Sequence, residues 1–251
     1  MSSFKQSVRS GDTHLGTFLN LGSPLVAEVC ALSGFDWLLV DLEHGAGGEE
    51  ALVGQLFAGA AHDIPVLARV ESAERIRVGH ALDLGAVGVM FPRLDTKDEV
   101  AAALSHLWYP PRGDRGVATY NRARHFGGDT RSSNEVNDEL LCLVQIETSL
   151  ALSNVADIAA TPGVDVLFVG PGDLSTALGC PGQLDAAVYL AALDRVVAAA
   201  HASSIAAGIL VGDPGDVQRH LDLGFSFVAV ASDSALLRRA ATAAAQGTSA
   251  S

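Results

Sequence analysis

Asp41, Glu43 and His44 fall within four positions of FDWLLVDLEHG (residues 35–45), directly after the apolar run Trp37, Leu38, Leu39 and Val40. Arg69 stands near the end of IPVLARV, Gln145 and Glu147 close LVQIET, and Asp173 follows Gly170, Pro171 and Gly172 in FVGPGDLS. Each set sits where a β-rich run stops. A histidine placed beside acids can hold its pKa near the working pH and move protons. An arginine at such a point can grip a carboxylate or stabilise an oxyanion. Glu147 and Asp173, if neighbours, repel one another unless a cation separates them. Two carboxylates plus waters suit a hard octahedral ion such as Mg2+ or Mn2+, which keeps positions open for substrate oxygens. Backbone N–H groups of the GPG stretch, just ahead of a helix start, can receive a small carboxylate.

Each of these residues also has a plainer role. Strand-end acids cap the following helix, Arg69 can form an ion pair with Asp41 or Glu71, and GPG can be a tight turn. The remaining histidines, His14, His62, His80, His106, His125, His201 and His220, fall mostly in helical segments or one long loop and read as surface or core residues. Cys30, Cys142 and Cys180 lie in or beside apolar runs without CxxC pairing, so they read as buried thiols rather than zinc or redox ligands.

The elements that must carry these groups alternate regularly. HLGTFLNLG is followed by PLVAEVCALSG, FDWLLVDLEH by EEALVGQLFAGAAH, IPVLARV by AERIRVGHALDLG, and AVGVMFPRL by TKDEVAAALSHL. Then come LLCLVQIET with SLALSNVADIAATPG, VDVLFVGPGDLS with LDAAVYLAALDRVVAAAHASS, AAGILVG with DPGDVQRHLDLG, and FSFVAVASD with SALLRRAATAAAQG. About eight β/α units in 251 residues predict a single (β/α)8 TIM barrel over residues 1–251, in which strand-end groups distant in sequence meet at one mouth. An open doubly wound sheet is the alternative, but the first turn, NLGSP, lacks its G-x-G-x-x-G signature. Residues 108–139, dense in Pro, Gly and Arg, are too long for an ordinary connection and read as a lid or an oligomer contact. Arg115, Tyr120 and Arg122 in that stretch are candidates to contact the tail of a substrate. The loops after the seventh and eighth strands, VGDPGD and ASDS, are acidic and ill suited to phosphate.

A formal charge of −13 and a hydrophobic content of 49% describe a chain with a large core and a surface that repels nucleic acid and anionic membranes. MSSFKQSVRSGD has no apolar signal core, and no stretch reaches about 18 uninterrupted apolar residues. The expectation is a cytoplasmic protein.

FDWLLVDLEHG, PVLARV, ALDLGAVGVMFP, YPPRGDRGV, LVQIET, GVDVLFVGPGDLS and GILV, in this order over nearly the whole chain, resemble the class II, metal-dependent pyruvate aldolases of the HpcH/HpaI family. The resemblance implies Glu147 and Asp173 as metal ligands, His44 as general base and Arg69 as transition-state stabiliser. It also implies that Gln145, Gly172 and Asp173 contact the pyruvate portion. The family uses an acid at the position of Asp83 to strengthen the base; here that residue falls late in the third helix, so it reaches a mouth only if the helix stops early or a neighbouring subunit supplies it. A homo-hexamer, a trimer of dimers with the last helix exchanged, is implied as well.

The activity these readings imply is cleavage of 4-hydroxy-2-oxo acids to pyruvate, or an analogue such as hydroxypyruvate, and an aldehyde, with the reverse addition. It would run through an enolate stabilised by Mg2+, Mn2+ or Co2+. No lysine ends a strand at these points, which disfavours a Schiff-base route. An oxaloacetate-type decarboxylase on the same scaffold and a catalytically silent metabolite-binding barrel are the rival readings.

Overall fold

In the computed structural model, which describes residues 3–247, eight parallel strands pair in chain order and close into a barrel. The outermost ends of the 1–251 span lie outside the described residues. The strands are β1 (His14–Leu19), β2 (Trp37–Asp41), β3 (Val66–Arg69), β4 (Gly88–Phe91), β5 (Leu141–Ile146), β6 (Val166–Val169), β7 (Ala206–Val211) and β8 (Phe227–Ser232). β8 pairs back onto β1, with His14 opposite Phe227 and Gly16 opposite Ala229. That closure removes the edges an open doubly wound sheet would leave.

The strands read as near-continuous apolar runs because both of their faces are buried, and the two-residue period sorts the faces. Phe18, Trp37, Leu39, Leu67, Met90, Leu143, Phe168 and Phe227 fill the barrel interior. The alternate set, including Leu38, Val40, Ala68, Val144, Leu167 and Val228, packs outward among buried residues of the helical layer such as Leu52, Val78, Val100 and Val196. Trp37 and Phe227 stack with centroids 4.2 Å apart. Gly16 makes this possible, since a Cβ there would stand 2.2 Å from the indole.

The lower end of the barrel is closed by the helix Phe4–Ser10, started by a reciprocal Ser3–Gln6 capping box. Its Val8 joins the interior cluster. Lys5 and Arg9 meet the fully buried Asp165 at 3.0 and 2.9 Å, and Asp165 also accepts from the Cys142 amide at 2.9 Å. All three cysteines are free and buried. No helix among the described residues is long and apolar enough to cross a membrane.

Each helix runs back from a strand's C-terminal end to the next strand's start, so helix C-termini lie at the end opposite the mouth. Asp83 is the last residue of the helix Arg75–Asp83 and therefore sits at that lower end. The 108–139 segment packs there too, built from a 3-10 turn (Arg122–Gly127) and a helix (Ser133–Glu139). Arg115, 2% exposed, pairs with Asp83 at 2.6 Å, and Arg122 donates to the Leu84 carbonyl at 2.8 Å. The expectation that Arg115 and Arg122 contact a substrate tail is thus corrected within one chain: both are engaged beneath the barrel. Tyr120 is 79% exposed. The last helix, Asp233–Ala245, packs against β1, β8 and the helix Pro24–Ala31 while burying only Asp233.

Gly16→Ala should lower stability by about 1–3 kcal/mol, the usual range for overpacking. Urea unfolding should show this as a lower midpoint at unchanged slope; an unmoved midpoint would mean that the indole yields freely.

Candidate active site

The interior phase of the strands continues upward into polar groups. On β2 the series is Trp37, Leu39, Asp41; on β3 it is Leu67, Arg69; on β5 it is Leu141, Leu143, Gln145, with Glu147 one step beyond the strand. Register sets Asp41 opposite Arg69. Phe18 and Phe168, stacked 5.9 Å apart, lie in the interior cluster below, and the Arg69 guanidinium stands 5.2 Å over the Phe18 ring. The charged groups therefore rest on an apolar floor.

Burial forces these charges into pairs. Arg69 and Asp41, 8% and 4% exposed, form a two-point contact, Nε to Oδ1 at 2.9 Å and Nη2 to Oδ2 at 2.7 Å. Glu43 Oε2 lies 3.3 Å from Arg69 Nε, and Arg69 Nη1 reaches Gln145 Oε1 at 3.4 Å. Glu71 pairs with Arg77 rather than with Arg69. Asp41 Oδ1 also accepts from the backbone amides of Glu43 and His44, at 3.1 and 3.2 Å. His44 itself is exposed, its Nε2 3.9 Å from Glu43 Oε2.

Glu147, 4% exposed, accepts from the Arg93 amide at 2.9 Å through Oε1 and from the Gln145 side-chain amide through Oε2. Its pKa is pushed up to about 7. Burial is the main cause; the charges of Asp173 and Glu43 add to it, and the Arg93 amide and Arg69 oppose it. Asp173 is not on β6, as its place in the sequence suggested, but in the first turn of the helix Pro171–Ala177, whose N-cap is Gly170 with Pro171 behind it. It is exposed, yet close enough to act on Glu147. Gly170 is required by packing: a Cβ there would stand 2.8 Å from Gln145 Nε2 and 3.2 Å from Glu147 Oε2. A Cβ at Gly172 would meet nothing within 4 Å, so that backbone is open to approach.

The structure thus brings together Asp41, Glu43, His44, Arg69, Gln145, Glu147, Gly172 and Asp173, and leaves Asp83 at the other end of the same chain. The Arg93 amide, a partner of Glu147, was missed; Arg93 has φ of 54°, which MFPRLDT does not announce. Among the described residues no group of three or more His, Cys, Asp and Glu side chains is spaced to hold a metal. Two carboxylates, Glu147 and Asp173, remain as an all-oxygen donor set, which fits a hard divalent ion that keeps most of its water. A cavity of about 590 Å³ also exists at the lower end, lined by Lys5, Arg115, Arg122 and Arg131 among apolar residues. None of the mouth's acids lines it.

A sequence model of the HpcH/HpaI aldolase/citrate lyase family matches residues 14–240. The chain is 40% identical over 248 residues to a hydroxypyruvate/pyruvate aldolase of Paraburkholderia phytofirmans, covering 96% of this chain and 95% of that protein. It is also 40% identical over 249 residues to a 4-hydroxy-2-oxovalerate aldolase of Rhodococcus jostii, covering 97% and 94%. A crystal structure of an HpcH/HpaI aldolase/citrate lyase family protein from Burkholderia cenocepacia superposes with a TM-score of 0.93 at 36% identity, covering 97% of each chain.

A carboxyl whose pKa rises on folding favours the folded state at low pH and loses that contribution as pH climbs through its folded value. For Glu147 the loss runs from its ordinary 4.5 through about 7. In chelator, the thermal midpoint of the protein should fall between about pH 5 and about pH 8 more steeply than that of Glu147→Gln. Equal slopes would contradict the shift.

Proposed function

The chain belongs to the HpcH/HpaI aldolase/citrate lyase family, and we propose that it is a divalent-metal-dependent aldolase that cleaves 4-hydroxy-2-oxo acids to pyruvate or hydroxypyruvate and an aldehyde, and runs the reverse addition. The observation that carries this reading is the buried Glu147, raised by its burial and by Asp173 and Glu43, in the same mouth as Arg69 and Gln145. Relatives named as a hydroxypyruvate/pyruvate aldolase and a 4-hydroxy-2-oxovalerate aldolase support the substrate class.

Glu147 and Asp173 would hold Mg2+, Mn2+ or Co2+, which when bound polarises the keto group and stabilises negative charge on its oxygen. Arg69 is fixed along its Nε/Nη2 edge by Asp41. With Nη1 also donating to Gln145, one N–H on each terminal nitrogen is left to face the same keto oxygen. Gln145 is held between Arg69 and Glu147 and would orient the 2-oxo acid, while the open backbone at Gly172 admits its carboxylate. In cleavage His44 takes the proton of the 4-hydroxyl at a ring nitrogen, directly or through water. The C3–C4 bond breaks, its electron pair passes to the pyruvate fragment as enolate, and the C4 oxygen becomes the aldehyde carbonyl. The proton taken by His44, passed on through solvent water, is added at C3 to complete pyruvate; in synthesis the path reverses, C3 losing a proton to water and His44 returning one to the new hydroxyl. The exposed position of His44 suits an aldehyde that leaves toward solvent.

The reading extends to assembly. The last helix leaves Leu237 58% exposed, and the helix Pro24–Ala31 and its C-cap present Leu25, Val29 and Leu32 at 74%, 63% and 67% exposure. A homo-hexamer with exchanged last helices would cover such surfaces. Asp83, remote from its own mouth, would then serve a neighbour's. The small 2-oxo acid and aldehyde are the partners, without nucleic acid or membrane, and the protein would work in the cytoplasm.

Pyruvate or hydroxypyruvate, incubated with a panel of aldehydes and Mn2+, should give adducts detected by mass spectrometry, lost on chelation and regained with Mg2+, Mn2+ or Co2+. His44→Ala should lose about 10²-fold or more in cleavage with Mn2+ affinity retained. Release of CO2 from oxaloacetate with no adduct from any aldehyde would replace the aldolase reading by decarboxylation, and full turnover after exhaustive metal removal would end the metal route.

A further inference from the structure

We infer that Asp41 is a positioning residue whose one carboxylate sets both Arg69 and the turn that carries His44; the inference rests on the aldolase reading of the mouth. Four donors converge on it. Oδ1 accepts from Arg69 Nε at 2.9 Å and from the amides of Glu43 and His44 at 3.1 and 3.2 Å, and Oδ2 accepts from Arg69 Nη2 at 2.7 Å. Three of the four contacts fall on Oδ1, which is fully engaged, and the fourth turns Oδ2 toward Arg69. At 4% exposure and paired with Arg69, it lacks the access of a general base.

Two plainer roles do not account for these contacts. Asp41 does not cap the next helix, Glu49–Ala61, whose N-cap is Gly48. Nor is it only a counter-charge for Arg69, because neutralising a guanidinium does not require the two amides of the turn that follows Asp41. The main chain strengthens the same link. The Leu42 amide donates to the Arg69 carbonyl at 2.9 Å, and the chain after His44 folds back so tightly that a Cβ at Gly45 would stand 2.1 Å from the Asp41 carbonyl oxygen. The residue that holds the proposed oxyanion stabiliser thus also fixes where the proposed base leaves the strand. A displacement of about 1 Å in such a group can lower a rate about 10²-fold.

The test compares Asp41→Asn and Asp41→Ala, each alone and combined with Arg69→Ala, in the full-length enzyme. Asparagine keeps an oxygen for the two amides but removes the charge and second oxygen that hold Arg69; alanine removes both. Asp41→Asn should lower kcat about 10²-fold and should add nothing further once Arg69 is alanine. Asp41→Ala should still lose rate in the Arg69→Ala background, because the turn that carries His44 loses its acceptor. Circular dichroism and thermal midpoints check that the variants are folded. With [15N]arginine labelling, Asp41→Asn should speed exchange of the Arg69 Nε–H about tenfold or more, as expected for a lost charge-assisted bond. Wild-type kcat in Asp41→Asn, losses that multiply in the Asn/Ala double variant, or unchanged Nε–H exchange would each overturn the inference. If the wild type forms no C–C bond, the aldolase reading fails, and the exchange experiment still decides whether Asp41 holds Arg69.

Discussion

Four carboxylates and one guanidinium share the barrel mouth, and the negative charge left over is the constraint on which the site depends. Asp41 takes Arg69 by its Nε/Nη2 edge, Glu43 stands 3.3 Å from the same Nε, and Glu147 is buried within range of Asp173 and Glu43. Like charges in a poorly screened interior repel far more strongly than in water. Such a set is tolerable only with a proton on one member or a cation among them. The upward shift of Glu147 expresses the first answer, and the proposed divalent ion is the second. A polar surface would relax this tension by moving the acids apart; the barrel prevents it.

The restraint comes from the fold's most repetitive feature. Because side chains alternate along each strand, the phase that sends Trp37 and Leu39, Leu67, and Leu143 into the packed interior also aims Asp41, Arg69 and Gln145 into the mouth. The aromatic floor of Phe18 and Phe168 excludes water from below, and Gly170 lets the β6 loop approach Gln145 and Glu147 closely. Packing thus fixes the polar constellation. Moving one strand by a residue would turn its acid into the helical layer.

How much of this is legible in sequence depends on the distance over which each feature is set. The strands, the closed barrel and the gathering of strand-end groups follow from period and order alone. The helix Phe4–Ser10 is also written locally, as a serine followed three residues later by glutamine, though the short polar segment gives no apolar period to draw attention to it. Asp173 could be placed near Glu147, but its shift from strand to helix turns on Pro171 occupying the first helical position. The contacts of Arg115 and Arg122 were not legible, because residues 108–139 have no period and their partners, Asp83 and Leu84, lie about 30 residues or more away in sequence. The fourfold role of Asp41 depends on a turn geometry that no spacing in DLEHG reveals.

The central claim is that the excess negative charge at Glu147 and Asp173 is a cation site. Manganese titrated into chelator-stripped protein, with free ion followed by electron paramagnetic resonance, tests it without any assumption about substrate. The account predicts about one ion per chain, and a loss of affinity of about 100-fold or more in the Glu147→Gln, Asp173→Asn double variant, in line with what metal sites lose when their supporting groups are changed. Equal affinity in the wild type and the double variant would contradict it.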